Sequence, residues 1–196
     1  RVFDEPLSGR FDLVEIDSEG ATLWDYKTWG SYRVARFLGM VAETVDDPLG
    51  ALYEKSGKWG KAGSPKQVKV WSPNPLVADT EEPTLQLNGY RLLLKPYSAI
   101  DHMRLQVTVR DGGLSVARSR GIDHLIYTFT IERLPDDEVV GYFSHKQIAL
   151  ETALRGGIVE PCSQKEAWAG ERCRAYCEVA FACEVGQGLV GIKEEQ

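Results

Sequence analysis

The sequence predicts an α/β fold, with α+β as the alternative, built on a mixed central sheet flanked by helices. Three observations predict it. Strand-like alternation appears in two separate blocks, residues 11–29 and 105–134. Helical spacing of apolar residues lies between and after them, at 34–38, 84–95 and 144–154. The chain of 196 residues is 43% hydrophobic and 27% charged, an ordinary globular composition that can bury roughly 70% of the unfolded surface.

Taken in order, Arg1–Pro6 reads as a short mixed strand. Phe11–Ile16 carries Phe11, Leu13, Val14 and Ile16, and Ala21–Trp29 carries Leu23, Trp24 and Tyr26. Ser18, Glu19 and Gly20 between them predict a hairpin. Ser31 is placed to cap a helix on which Val34, Phe37 and Leu38 recur at helical spacing. Residues 46–83 are rich in Gly, Pro, Lys and Asp and read as a long, partly irregular connection. A helix is expected over Thr84–Lys95, with Thr84 as its cap. Leu105, Val107 and Val109 alternate with polar residues as a half-buried strand, ended by Asp111-Gly112-Gly113. Leu125–Leu134 is a further strand with Tyr127, Phe129 and Ile131 on one face. Ser144–Leu154 reads as a helix opened by a Ser144/Gln147 capping box and stopped at Gly156-Gly157. Residues 1–157 are expected to form the core, short of an upstream helical part before Arg1. Residues 158–196 form a cysteine-rich tail packed on it.

The formal net charge is −6, which argues against a generic basic nucleic-acid coat. One segment is locally basic. Lys55, Lys58, Lys61, Lys66 and Lys69 lie in a stretch without an acidic residue, with Trp59 and several glycines among them. This reads either as a solvated loop or as a mobile phosphate-contacting arm with Trp59 available to stack on a base. Arg104, Arg110, Arg118 and Arg120 are candidates for lining a substrate groove. No run of about 18 apolar residues predicts a membrane span, and no secretion signal is evident. The expected location is cytoplasmic.

The residues that suggest chemistry lie on the predicted hairpin. Asp25 and Lys27 are two apart on one strand and project to the same face. Asp12, early on the preceding strand, reaches the same region if the strands pair. Two carboxylates helped by the carbonyl of Tyr26 suit Mg2+ or Mn2+, which take oxygen ligands. Lys27 is placed to orient a water or to meet phosphate oxygens. A partly buried ion pair is the competing reading. Downstream, Gln86 and Tyr90 fall at i and i+4 of one helix, able to brace a carboxylate site or contact phosphate. Gly9 would let the backbone turn sharply before Asp12.

Gly9-x-x-Asp12, Asp25-Tyr26-Lys27, Gln86-x-x-x-Tyr90 and a cysteine-rich tail, in this order, resemble the RecB-like branch of PD-(D/E)XK nucleases. That branch includes the nuclease domains of bacterial recombination helicase–nucleases, iron–sulfur exonucleases of CRISPR adaptation and related phage proteins. The resemblance covers nearly the whole chain. It implies a restriction-endonuclease-like core and a metal-dependent DNA nuclease acting on single strands or ends. In that role Asp12 and Asp25 hold Mg2+ or Mn2+, Lys27 assists catalysis, and Gln86 and Tyr90 support the site and the DNA. A helicase, recombination or integrase partner is implied as well. In the branch resembled, an upstream helix adds an acidic residue or a histidine, a place that His102, His124 and His145 do not occupy. A catalytically incomplete nucleic-acid-binding or assembly module of the same fold is the alternative.

Cys162, Cys173, Cys177 and Cys183 are the only cysteines and fall within one short tail. Four thiolates suit zinc or an iron–sulfur cluster, and disulfides are disfavoured in a cytosolic chain. The resemblance implies a four-iron, four-sulfur cluster, with Trp168 and Tyr176 nearby and zinc as the alternative.

Overall fold

We describe the fold from a computed structural model, in which residues 8–58, 60–156, 161–164 and 166–190 are described. The expected first strand, Arg1–Pro6, lies outside them. The chain divides into two compact units, one running up to Val140 and one from Gly141 onward.

The first unit is mixed α/β. Its main sheet has four strands in the order β1-β2-β5-β6: β1 is Leu13–Asp17, β2 Gly20–Trp29, β5 His102–Val109 and β6 Ile126–Thr130. The pairing of β1 with β2 is antiparallel, of β2 with β5 parallel, and of β5 with β6 antiparallel. The expected hairpin is therefore present, closed by Ser18 and Glu19. Gly20 follows at a φ of +124°, against which the Asp101 carboxylate accepts the Ala21 N–H at 2.8 Å. A side chain at Gly20 would collide with that carboxylate, so the turn needs glycine for both reasons.

Between β2 and β5 run α1 (Ser31–Phe37), β3 (Met40–Asp46), β4 (Gln67–Pro73) and α2 (Glu81–Leu94). β3 and β4 pair antiparallel as a separate ribbon. Of the long, partly irregular connection expected over 46–83, residues 67–73 form β4 and pair with β3, while residues 47–66, which hold the glycines and all the lysines but Lys69, carry turns and isolated bridges. Here cross-strand pairing outweighs composition. The core lies on one face of the main sheet, where Leu23, Met103, Leu105 and Val107 pack with Val34, Phe37 and Leu87.

Several boundaries move for identifiable reasons. Ser31 does not cap α1; Gly30 holds the cap position without a side-chain bond. Instead Asp111, from the turn after β5, accepts the Ser31 N–H at 2.6 Å and its hydroxyl at 2.7 Å. α2 begins before Thr84, with Pro83 in its first turn, where proline lacks no intrahelical bond. The last helix of the first block, α4, spans Asp136–Leu154. Ser144 is thus internal and no capping box forms there. Gln147 bonds Glu151 one turn on at 3.1 Å. The reciprocal bonding of a capping box closes a turn at Ser163/Glu166 instead: the Ser163 N–H donates to Glu166 at 2.9 Å and the Glu166 N–H to Ser163 Oγ at 3.2 Å.

α4 crosses from the first unit into the second. The short helix α3 is Ser115–Arg118, and the second unit adds α5 (Glu171–Ala175) and α6 (Glu184–Val190). No described helix is long and apolar enough to cross a membrane.

Candidate metal centre

The register of the first two strands sets the geometry. Val14 faces Leu23 and Leu13 faces Trp24. One further step brings Asp12 opposite Asp25. Strand alternation then puts Asp12, Asp25 and Lys27 on the core-bearing face with Leu23, while Trp24 and Tyr26 point the other way. Asp12 lies just before β1, and its carboxylate accepts the Tyr26 N–H at 2.7 Å. That bond holds the end of β1 against the middle of β2.

Asp25 is only 2% exposed. Lys27 Nζ stands 2.9 Å from Asp25 Oδ2, an ion-pair distance but off the line a hydrogen bond needs. This buried oxygen has no hydrogen-bond partner among the described residues. Burial pushes the Asp25 carboxyl up from its ordinary value; Lys27 opposes that rise, and the neighbouring Asp12 charge adds to it. Two carboxyls close enough to feel one another, one of them buried, thus stand together with the Lys27 ammonium beside Asp25. The donor chemistry fits Mg2+ or Mn2+.

The expected helical pair is also in place. Gln86 Nε2 donates to Tyr90 Oη at 2.8 Å, and the Tyr90 ring lies against Gly9. A Cβ at Gly9 would stand 2.5 Å from Tyr90 Cε1. Gly9 therefore admits an aromatic ring beside the approach to Asp12. It is not among the residues with positive φ, so the sharp turn expected of it is not the reason for glycine there.

α2 is fixed by polar groups that the sequence reading passed over. Asn88 is fully buried and donates to the carbonyls of Thr84 and Glu132, both at 2.9 Å, while accepting the Leu134 N–H at 3.0 Å. Arg91, 3% exposed, donates to Asp136 at 2.7 Å and to the Leu134 carbonyl at 3.1 Å. Lys95 reaches the same Asp136 at 2.8 Å. These two cations hold the Asp136 carboxyl at about 2. The signal was available: an Asn and an Arg three apart on the apolar side of a helix require partners if buried.

The other predicted residues fall elsewhere. Tyr26 is 45% exposed on the opposite face of the sheet, its ring stacked on Trp24 at 6.3 Å, with Arg104 over Trp24 at 5.4 Å. Arg118 donates to the Gly113 carbonyl at 2.7 Å and Arg120 to Ser31 Oγ at 2.7 Å, so both are engaged in holding turns. Arg110 is exposed. Lys55, Lys58, Lys61, Lys66 and Lys69 are exposed on the β3–β4 arm, and Trp59 lies outside the described residues.

In the second unit none of the four cysteines is in a disulfide; Cys162 is exposed and Cys173, Cys177 and Cys183 are half-buried. Among the described residues no three His, Cys, Asp or Glu side chains converge as a metal-holding group. The thiols suit a soft metal by donor type but are not gathered as a site. Just before α5, Trp168, Ala169 and Gly170 run consecutively at positive φ, a conformation that costs a non-glycine residue about 1–2 kcal/mol. Trp168 and Tyr176 meet edge-on at 5.7 Å.

Comparison of the chain with protein-family models, with characterised proteins and with solved structures finds no match.

Proposed function

We propose that the chain is a metal-dependent DNA nuclease with a restriction-endonuclease-like core, working as an exonuclease or DNA-end processing enzyme. The observation that carries this reading is the buried Asp25 oxygen without a hydrogen-bond partner, set across the hairpin from Asp12 and beside Lys27. Asp12 and Asp25, with the Tyr26 carbonyl, would hold Mg2+ or Mn2+. When bound, the ion supplies a water of lowered pKa and positive charge for the phosphate. Lys27, about a quarter exposed in its side chain, orients that water or donates to a phosphate oxygen. The Gln86–Tyr90 pair presents two hydrogen-bonding groups from α2 on the side of Gly9, available to a DNA strand. The β3–β4 lysines supply the cationic surface that a chain of net negative charge otherwise lacks.

The same reading assigns Cys162, Cys173, Cys177 and Cys183 to an iron–sulfur cluster, or alternatively to zinc, as a staple of the second unit. Their closeness in sequence and their donor type support it. No step of the hydrolysis passes through that group. A helicase, recombination or integrase partner and a cytoplasmic location complete the proposal.

One observation favours a second reading. Lys27 already neutralises Asp25 at 2.9 Å, as a purely structural ion pair would, which suits a non-catalytic nucleic-acid-binding module. Digestion of end-labelled single- and double-stranded DNA with Mn2+ separates the two. The nuclease reading expects cutting that Lys27→Ala lowers by about 100-fold or more with folding retained. Binding without cutting in the parent protein would leave only the second.

A further inference from the structure

The β3–β4 arm has an architecture that the metal centre does not require. Its ladder starts at Met40 opposite Pro73 and continues to Asp46 opposite Gln67. Beyond it, the Asp47 N–H donates to the Lys66 carbonyl at 2.7 Å and Lys66 donates to Ala51 at 2.8 Å. Leu52 pairs with Pro65, Tyr53 bonds Ser64 at 3.0 Å, and Gly57 faces Gly60 at the tip. The Tyr53 ring lies beneath Gly60, where a Cβ would collide with it. The arm is thus a two-stranded ribbon over Met40–Asp46 and Gln67–Pro73, extended to its tip by intermittent cross-chain bonds. Its base is anchored where Gly39, at a φ of +71°, accepts the Asn74 N–H at 2.8 Å, and where Tyr32 of α1 meets Trp71 edge-on at 6.1 Å.

Charge is divided between its two sides. The acids Glu43, Asp46, Asp47 and Glu54 all lie on the outgoing side. Asp46 accepts from Gln67, and Asp47 accepts the Leu49 N–H at 2.9 Å. The tip and return side, residues 55–73, carry the five lysines and no acid. Lys55, Lys61, Lys66 and Lys69 are exposed and have no carboxylate partner among the described residues. A single polyanion of regular shape fits this distribution. The major groove of B-form DNA is about 12 Å wide and admits a two-stranded β-ribbon, whose strands lie only about 4.8 Å apart. The phosphate wall beside the return strand, and the phosphates around the tip, would meet the extended lysines. Phosphate contact by lysine carries no sequence information.

Resting on the nuclease reading, we propose that the arm lies in the major groove of duplex DNA next to the cleaved end. It holds the enzyme on the double-stranded flank without regard to sequence. The test measures binding of a blunt duplex and of a single strand of the same length, by fluorescence anisotropy over a salt series without divalent metal. The proteins are the full chain and its Lys55→Gln/Lys61→Gln/Lys66→Gln/Lys69→Gln variant. A matching set of Lys→Arg substitutions controls for folding and retains the charge. The proposal expects the Gln variant to bind duplex at least about 10-fold more weakly, with the logarithmic salt slope reduced by about 3–4. The single strand should lose much less, and the Arg variant should bind like the parent. Unchanged duplex affinity in the Gln variant overturns the proposal, as does an equal loss on both substrates. Arm-dependent duplex binding by a parent protein that never cuts overturns the nuclease reading and leaves the arm standing. Cutting by a parent whose binding ignores the lysines does the reverse.

Discussion

A carboxylate that is 2% exposed, with one oxygen lacking a hydrogen bond, carries a desolvation penalty of about 1–3 kcal/mol. Lys27 offsets part of it at 2.9 Å, and the charge of Asp12 adds to it. The raised carboxyl of Asp25 makes this a pH effect with a definite sign. The folded state binds the proton more tightly than the unfolded state. Stability from this group is therefore complete at acid pH and is lost as pH rises through the raised value. Asp25→Asn removes that loss. In metal-free buffer near neutral pH the variant should melt higher than the parent by roughly 2–4 °C for each kcal/mol recovered. The difference between the two should vanish toward acid pH. A lower midpoint for Asp25→Asn at neutral pH would mean that the charge is compensated in the native state and that the oxygen is not poised for a cation.

The elements owe their placement to polar partners distant in sequence, and this decides what could be read in advance. Asp136 opens α4 while its carboxylate joins Arg91 and Lys95 of α2. Asp136→Ala leaves the buried Arg91 without its carboxylate and should cost about 1–3 kcal/mol in chemical denaturation. Because the folded carboxyl sits at about 2, its contribution is present above the ordinary value near 3.8 and is lost as pH falls toward 2. The variant should lack that acid limb. The β1–β2 hairpin and its facing Asp12 and Asp25 were legible because turn residues and two-residue alternation fix a register locally. The same holds for β5 and for the i, i+4 pair Gln86–Tyr90. The β3–β4 pairing was not legible, since the glycine- and lysine-rich residues 47–66 separate the two strands in sequence. Nor was the partner of Ser31, which comes from Asp111 in a turn on the far side of the arm and α2. Ser144/Gln147 had the spacing of a helix start, but the acidic run Asp136–Glu138 begins the helix two turns earlier and is better matched to its positive end.

At the scale of the molecule, the first unit gathers a metal-suited oxygen pair, an ammonium and a hydrogen-bonding helix face on one side of a mixed sheet, and carries a basic ribbon as a separate arm. The second unit holds four free thiols. The division of labour proposed for these parts rests on Asp12 and Asp25 acting as one cation site. Isothermal titration of Mn2+ into the parent protein, Asp12→Asn and Asp25→Asn tests this most directly, without recourse to DNA or to cutting. A single site in the parent, weakened on the order of tenfold or more by either substitution, is the predicted result. Equal Mn2+ affinity in all three proteins, or no binding by the parent at millimolar metal, would contradict it.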